Sequence, residues 1–226
     1  MNTALTDPVP GHLTDDVDSQ RAEIAALGHE LRALVDATVR TAAAPDTLRL
    51  VAEGVRRLRT QLTGRRRARA EIPAVDGFPV GVRMYSPVTG LGSPLSPPLE
   101  VTPADGGLFG RCALGIAHEG PPGYGHGGMS AMLLDELMGR ACAAAGTPAM
   151  TVSLQMRYHG PVPLQTSLRL HARVIRTDGR KIVTHGSITT TADPATVLVS
   201  ADGVFIAPEP ELAGTLFPHR PAPRES

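Results

Sequence analysis

The stretch His118–Gly139, HEGPPGYGHGGMSAMLLDELMG, limits this chain more than any other. It runs a glycine- and proline-rich turn directly into one of the most apolar helical segments of the sequence. The apolar residues of that segment exceed the single stripe of a surface helix, so it must be covered on more than one side. Strand material stands around it. Leu108, Cys112, Leu114 and Ile116 alternate before it; after it, TVSLQMRYH sets Val152, Leu154, Met156 and Tyr158 on one face and Thr151, Ser153, Gln155 and Arg157 on the other. Leu168, Leu170, Ala172 and Val174 continue the pattern, Asp178-Gly179 makes a hairpin turn, and Ile182–Thr191 and Val197–Ile206 are two more strands divided by Ala192-Asp193-Pro194. The order strand, helix, four strands buries the helix only if an antiparallel sheet curls around it, an α+β arrangement with the helix as core.

Upstream the pattern is different. From Thr14 to about Ala42, Val17, Ile24, Leu27, Leu31, Leu34, Val35 and Val39 share one helical face; after Pro45-Asp46, Leu48, Val51, Val55, Leu58 and Leu62 repeat it. These two segments read as a helical hairpin that needs a partner surface, and GRRRARAE, from Gly64 to Glu71, as a solvated basic linker. Pro73–Pro103, which includes SPLSPPLEV, reads as irregular structure hugging the surface. The resulting division is a helical arm with its basic linker (1–75), a Pro/Gly-rich connection (76–105), a strand-and-helix domain (106–207) and a C-terminal tail (208–226).

Charge and cysteine content exclude several roles. Lysine plus arginine (22) equal aspartate plus glutamate (22), so no overall field favours nucleic acid or an anionic membrane. The polar faces of the arm mix both charge signs, which also argues against membrane contact. Cys112 and Cys142 lie in apolar, regularly patterned segments and read as small buried hydrophobes in a reducing compartment; a metal site needs more ligands than these. The opening MNTALTDPVPGHLTDD has no basic region followed by an apolar one, and no apolar run reaches the ~18 residues of a membrane span, so the expectation is a cytoplasmic, soluble protein.

Within the helix two acids adjoin. Glu136 stands one turn before Arg140, the arrangement of a solvated ion pair. Asp135 has no such partner; one turn away lie Ala131 and Gly139, small residues that leave room for a ligand or a facing chain. It is either a catalytic acid or a structural one bonded to a neighbouring backbone or hydroxyl group. At the helix start, backbone N–H groups lack intrahelical acceptors and the dipole is positive. Gly127 and Gly128 leave those amides open to an oxygen that becomes negative during acyl transfer, with His126 beside them; a plain glycine turn explains the same residues.

His126-Gly127-Gly128, Asp135 nine residues after His126, and Thr151 opening the strand TVSLQMRYHGPVP together resemble the hotdog-fold acyl-CoA thioesterases of the PaaI and THEM4-like group; Glu119-Gly120-Pro121-Pro122-Gly123 is similar to the THEM4-like branch. The likeness covers roughly Gly106–Ala207. It implies hydrolysis of acyl-CoA thioesters to a carboxylic acid and CoA, without metal or cofactor, coenzyme A being part of the substrate. The Gly128 N–H, with Gly127 or His126 nearby, would polarise the thioester carbonyl. Asp135 would activate water or attack directly, and Thr151 would orient the acid or the water. It also implies a homodimer, or a tetramer of two dimers, with each site drawn from two chains. Met129 and Met132 are the expected wall of the acyl pocket; Arg157, Arg176, Arg180 and Lys181, with Arg173, are the candidate cations for the phosphates of CoA, though each alone also reads as a solvated edge charge.

One departure stands out. The PaaI-type relatives carry an asparagine a few residues before HGG, and Glu119–Gly125 contains none. A non-catalytic acyl-CoA or acyl-carrier binding module is therefore the alternative reading, and hotdog hydratase or dehydratase chemistry a third.

Overall fold

A computed structural model describes residues 10–77, 81 and 83–216, with side chains from residue 16 onward. Its elements in chain order are α1 (Pro10–Arg40), α2 (Pro45–Gln61), β1 (Glu100–Ala104), β2 (Gly107–Cys112), α3 (Gly127–Ala144), β3 (Met150–Tyr158), β4 (Leu168–Asp178), β5 (Lys181–Thr190), β6 (Val199–Ile206) and α4 (Pro210–Leu216). The six strands form one antiparallel sheet in the order β1-β2-β4-β5-β6-β3, curled around α3 in the hotdog arrangement.

α3 is the core because its sequence leaves it no exposed option. Ser130, Leu133, Leu134, Leu137, Met138, Ala141 and Cys142 are all buried, a stripe that repeats every three or four residues. The sheet meets it closely where glycine removes a side chain: a Cβ on Gly186 of β5 would lie 3.1 Å from Leu134 and 3.3 Å from Met138. The helix ends in a Schellman motif, with Gly146 at φ 84° donating to Ala143 O and Thr147 N–H to Cys142 O, each at 3.0 Å.

Several expectations need correction. The sheet begins at Glu100, inside the segment read as irregular and before residue 106, because β1 pairs with β2 from Glu100↔Arg111 to Ala104↔Gly107. Pro103 is tolerated because β1 is an edge strand. β2 stops at Cys112, and Ile116 opens a short 3-10 turn instead of prolonging the strand. The stretch read as a tail contains α4. β3 is exposed on most positions of both faces and carries a bulge between Thr151 and Ser153, so simple alternation does not describe it.

The two helices of the arm differ in what they touch. α1 docks on the proline- and glycine-rich connection through paired glycines, where a Cβ on Gly28 would sit 2.2 Å from Leu91 O and one on Gly92 would sit 2.3 Å from Ile24. Arg32 donates to Leu91 O and Ser93 O at 2.7 and 2.9 Å, and Arg21 to Val75 O at 2.8 Å. The connection itself is turn-rich yet anchored, with Val75, Met84, Val88 and Leu99 buried. α2, by contrast, has no buried residue.

Candidate active site

The loop before α3 is a rigid support for His126. Tyr124 N–H donates to Pro121 O at 2.9 Å across a turn whose third residue, Gly123, has φ 84°, the torsion a type II turn requires of glycine. Glu119 caps this loop by accepting from Gly123 N–H at 2.7 Å. Gly120 has to be glycine, since a Cβ there would lie 2.8 Å from the His126 Cα.

At the start of α3, His126 is the N-cap, and its Nδ1 accepts from Gly128 N–H at 3.0 Å. That bond revises the expected role of Gly128, whose amide is satisfied within the chain. His126 N–H donates to His118 O at 2.8 Å and Met129 N–H to His126 O at 2.9 Å. Among the described residues, no acceptor is seen for Gly127 N–H, which leaves it as a donor at the positive start of the helix. With Nδ1 accepting, a neutral His126 carries its proton on Nε2 and presents a second donor.

Tyr158, the last residue of β3, reaches the start of α3. Its hydroxyl donates to Gly127 O at 3.0 Å, and its ring covers Gly127 so closely that a Cβ there would lie 3.3 Å away. Strand alternation placed it on a face, but only the fold brings the end of β3 over the start of α3.

Two turns further along α3, Asp135 Oδ1 accepts from Thr151 Oγ1 at 2.6 Å. The pair stands at a cavity of about 550 Å³, lined further by Gly139, Ala143, Ala149, Phe205 and Arg140. His126, Gly127 and Gly128 do not line it. Eight residues separate Gly127 from Asp135, about 12 Å along the axis at ~1.5 Å per residue. The glycine start of α3 and the acid at its middle therefore lie apart on one helix.

The ion pair between Glu136 and Arg140, at 2.8 Å, is only partly exposed, and Arg140 also donates to Thr89 Oγ1 at 2.9 Å. Met129 and Met132 are partly buried against the core, which reduces their share in any open pocket. Arg157 is held by Asp202 of β6, and Arg180 by Ala207 O and Glu209, so two of the expected phosphate cations are engaged within the chain. Arg176 and Lys181 make no ion pair among the described residues. Strand register sets Lys181 in the row of Ile206 and Met150, beside that of Thr151. Both cysteines are buried, and desolvation pushes the Cys112 thiol up to about 12 and the Cys142 thiol up to about 11, so neither supplies a thiolate nucleophile near neutral pH.

Residues 122–195 match the family model of the Thioesterase superfamily. The crystal structure of a thioesterase superfamily protein superposes with a TM-score of 0.72 at 35% sequence identity, covering 81% of this chain and 94% of that one. The chain belongs to the thioesterase superfamily. Among curated superfamily relatives, the mouse acyl-coenzyme A thioesterase THEM4 is 32% identical over 97 residues, which are 43% of this chain and 41% of the relative. The human acyl-coenzyme A thioesterase THEM5 is 30% identical over 88 residues, 39% of this chain and 35% of that protein. The chain therefore spans well under half the length of the curated relatives it matches.

Proposed function

We propose that this superfamily member hydrolyses acyl-CoA thioesters at a site assembled from two copies of the chain. The observation that carries the reading is the 2.6 Å bond from Thr151 to Asp135 at the mouth of a largely apolar cavity, on the helix that begins with HGG. Superfamily membership, and the names of the relatives above, support the chemistry.

In this reading the thioester carbonyl oxygen accepts from the Gly127 N–H of one chain, with His126 Nε2–H as a second donor, and developing negative charge meets the positive end of α3. The acid comes from the other chain. Thr151 engages one oxygen of Asp135 and leaves the other to take a proton from water. The water oxygen bonds to the carbonyl carbon, the C–S bond breaks, and the electron pair leaves on the CoA sulfur, which is then protonated. Direct attack by the carboxylate gives the same products through an anhydride. Lys181 and Arg176 are assigned to the phosphates of CoA.

A two-chain site is favoured because the half-sites lie about 12 Å apart, whereas reacting groups must come within about 3.5 Å. β3 offers the junction. It is an edge strand with Met150, Val152 and Tyr158 exposed, and an unpaired edge of this kind is a template for a second copy.

Subunit mixing tests the arrangement. Asp135→Asn and Gly127→Val chains are each expected to release little thiol from acyl-CoA; after verified subunit exchange the heterodimer contains one doubly defective site and one intact site, and activity returns. A mixture that stays inactive would assign both half-reactions to a single chain. A wild-type chain that binds acyl-CoA without releasing thiol would be a binding module.

A further inference from the structure

We propose that α2 and the arginine run after it form an interfacial element that lies on an anionic lipid surface. Leu48, Val51, Val55, Leu58 and Leu62 fall at alternating steps of three and four residues, one stripe along the helix, and they are 45, 46, 42, 60 and 65% exposed. Nothing among the described residues covers them, and α2 contributes no buried residue to the fold. A monomeric surface seldom leaves a continuous aliphatic stripe open unless it has a partner.

Charge selects the partner, and this proposal departs from the expectation of no membrane contact because the mixed signs belong to α1 while α2 and the run after it are basic. Between Pro45 and Arg69 there are eight arginines and two acids, although the whole chain is neutral. Asp46 is paired with Arg49 at 2.7 Å and Glu71, just beyond, with Arg65 at 2.7 Å. Arg56, Arg57, Arg59, Arg66 and Arg69 make no ion pair among the described residues, and every residue from Arg65 to Arg69 is exposed. A second copy docking face to face on this stripe would bring the arginine flanks of two identical helices together, a like-charge contact. A bilayer of anionic lipid accepts the aliphatic stripe among its acyl chains and supplies phosphates to the arginines, whose long stems reach outward from a helix lying in the interface.

The helix is suited to lying on a membrane and not to crossing one. Its 17 residues extend about 26 Å at ~1.5 Å per residue but carry four arginines, and no helix among the described residues is long and apolar enough to span. α1, anchored by Gly28, Arg21 and Arg32, fixes one end of a short joint at 41–44, so α2 can face a surface while the sheet domain stays outside the lipid.

The proposal is independent of the hydrolytic reading and is tested on the full chain with vesicles. Phosphatidylcholine vesicles with and without about one-third phosphatidylglycerol are pelleted with the protein at about 0.1 M and about 0.5 M salt. Pelleting is expected only with the anionic vesicles, falling at least about fivefold at the higher salt. Leu58→Asp and, separately, the pair Arg56→Glu with Arg59→Glu should each abolish pelleting while melting temperature and catalytic rate stay unchanged. Equal pelleting on both vesicle types, none on either, or retention by Leu58→Asp would overturn the assignment. So would a Leu58→Asp chain whose only change is a smaller assembly in sedimentation velocity, since the stripe would then be a contact between copies.

Discussion

α2 and α3 are nearly the same length, 17 and 18 residues, and both carry an aliphatic stripe, yet every residue of one stripe is exposed and every residue of the other is buried. Periodicity is common to both; the surroundings differ. α3 has apolar or small residues on most of its circumference and faces a sheet that opens at Gly186 to receive it. α2 surrounds its stripe with arginine and is followed by a segment without regular structure. A helical period therefore fixes an element and its apolar face, but the fate of that face depends on whether another element is shaped to meet it.

The sharpest way to break this comparison is to place the same charge in both stripes. Leu134→Asp puts a carboxylate among fully buried side chains and should remove at least about 4 kcal/mol of stability, so that no cooperative melting transition is seen by circular dichroism. Leu58→Asp on α2 should leave melting within the ~0.5 kcal/mol typical of surface changes. Equal losses in both variants would mean that α2 is covered.

Within α3, chemistry and packing should separate. Asp135→Asn should lower kcat at least about a hundredfold, roughly 2.7 kcal/mol in the barrier, with an unchanged melting temperature. Near-normal turnover in the folded variant would remove Asp135 from the reaction. Gly186→Val, directly behind the helix, should do the reverse and destabilise by about 2 kcal/mol, because Leu134 and Met138 must give way. Thr151→Val loses the 2.6 Å bond to Asp135 and is expected to cut kcat/KM about tenfold, or ~1.4 kcal/mol, with little effect on melting.

The smallest effect belongs to the thiols. Burial raises the folded-state values of Cys112 and Cys142 above the ordinary 9.0, to about 12 and about 11. Their contribution to stability is fully present below pH 9 and is lost as pH rises through those values, because the unfolded chain ionises first. Native protein at pH 8 should resist a thiol-specific reagent that labels both cysteines after unfolding. Rapid labelling of native protein would show that the α3 core opens.

Much of the candidate site was legible in the order of residues. The HGG turn, Asp135 and Thr151 are close in sequence to a single helix, and helix and strand periods predict where each lies on its own element. Tyr158 was hidden because its contact with Gly127 joins positions 31 apart, and β1 because Glu100–Ala104 contains a proline that an edge strand tolerates. Arg157 and Arg180 looked free only because Asp202 and Glu209 reach them across the sheet and from the segment after it.

The sequence by itself determined that α3 is the core, that strands surround it, and that an acid and a glycine turn share it, since these follow from local period and residue type. Tertiary structure decided which groups meet. It gave Asp135 its hydroxyl partner and left α2 uncovered. Periodicity is a property of neighbours along the chain, whereas hydrogen-bond partners and burial depend on residues brought together by folding, and nothing local encodes which of several donors or surfaces will arrive.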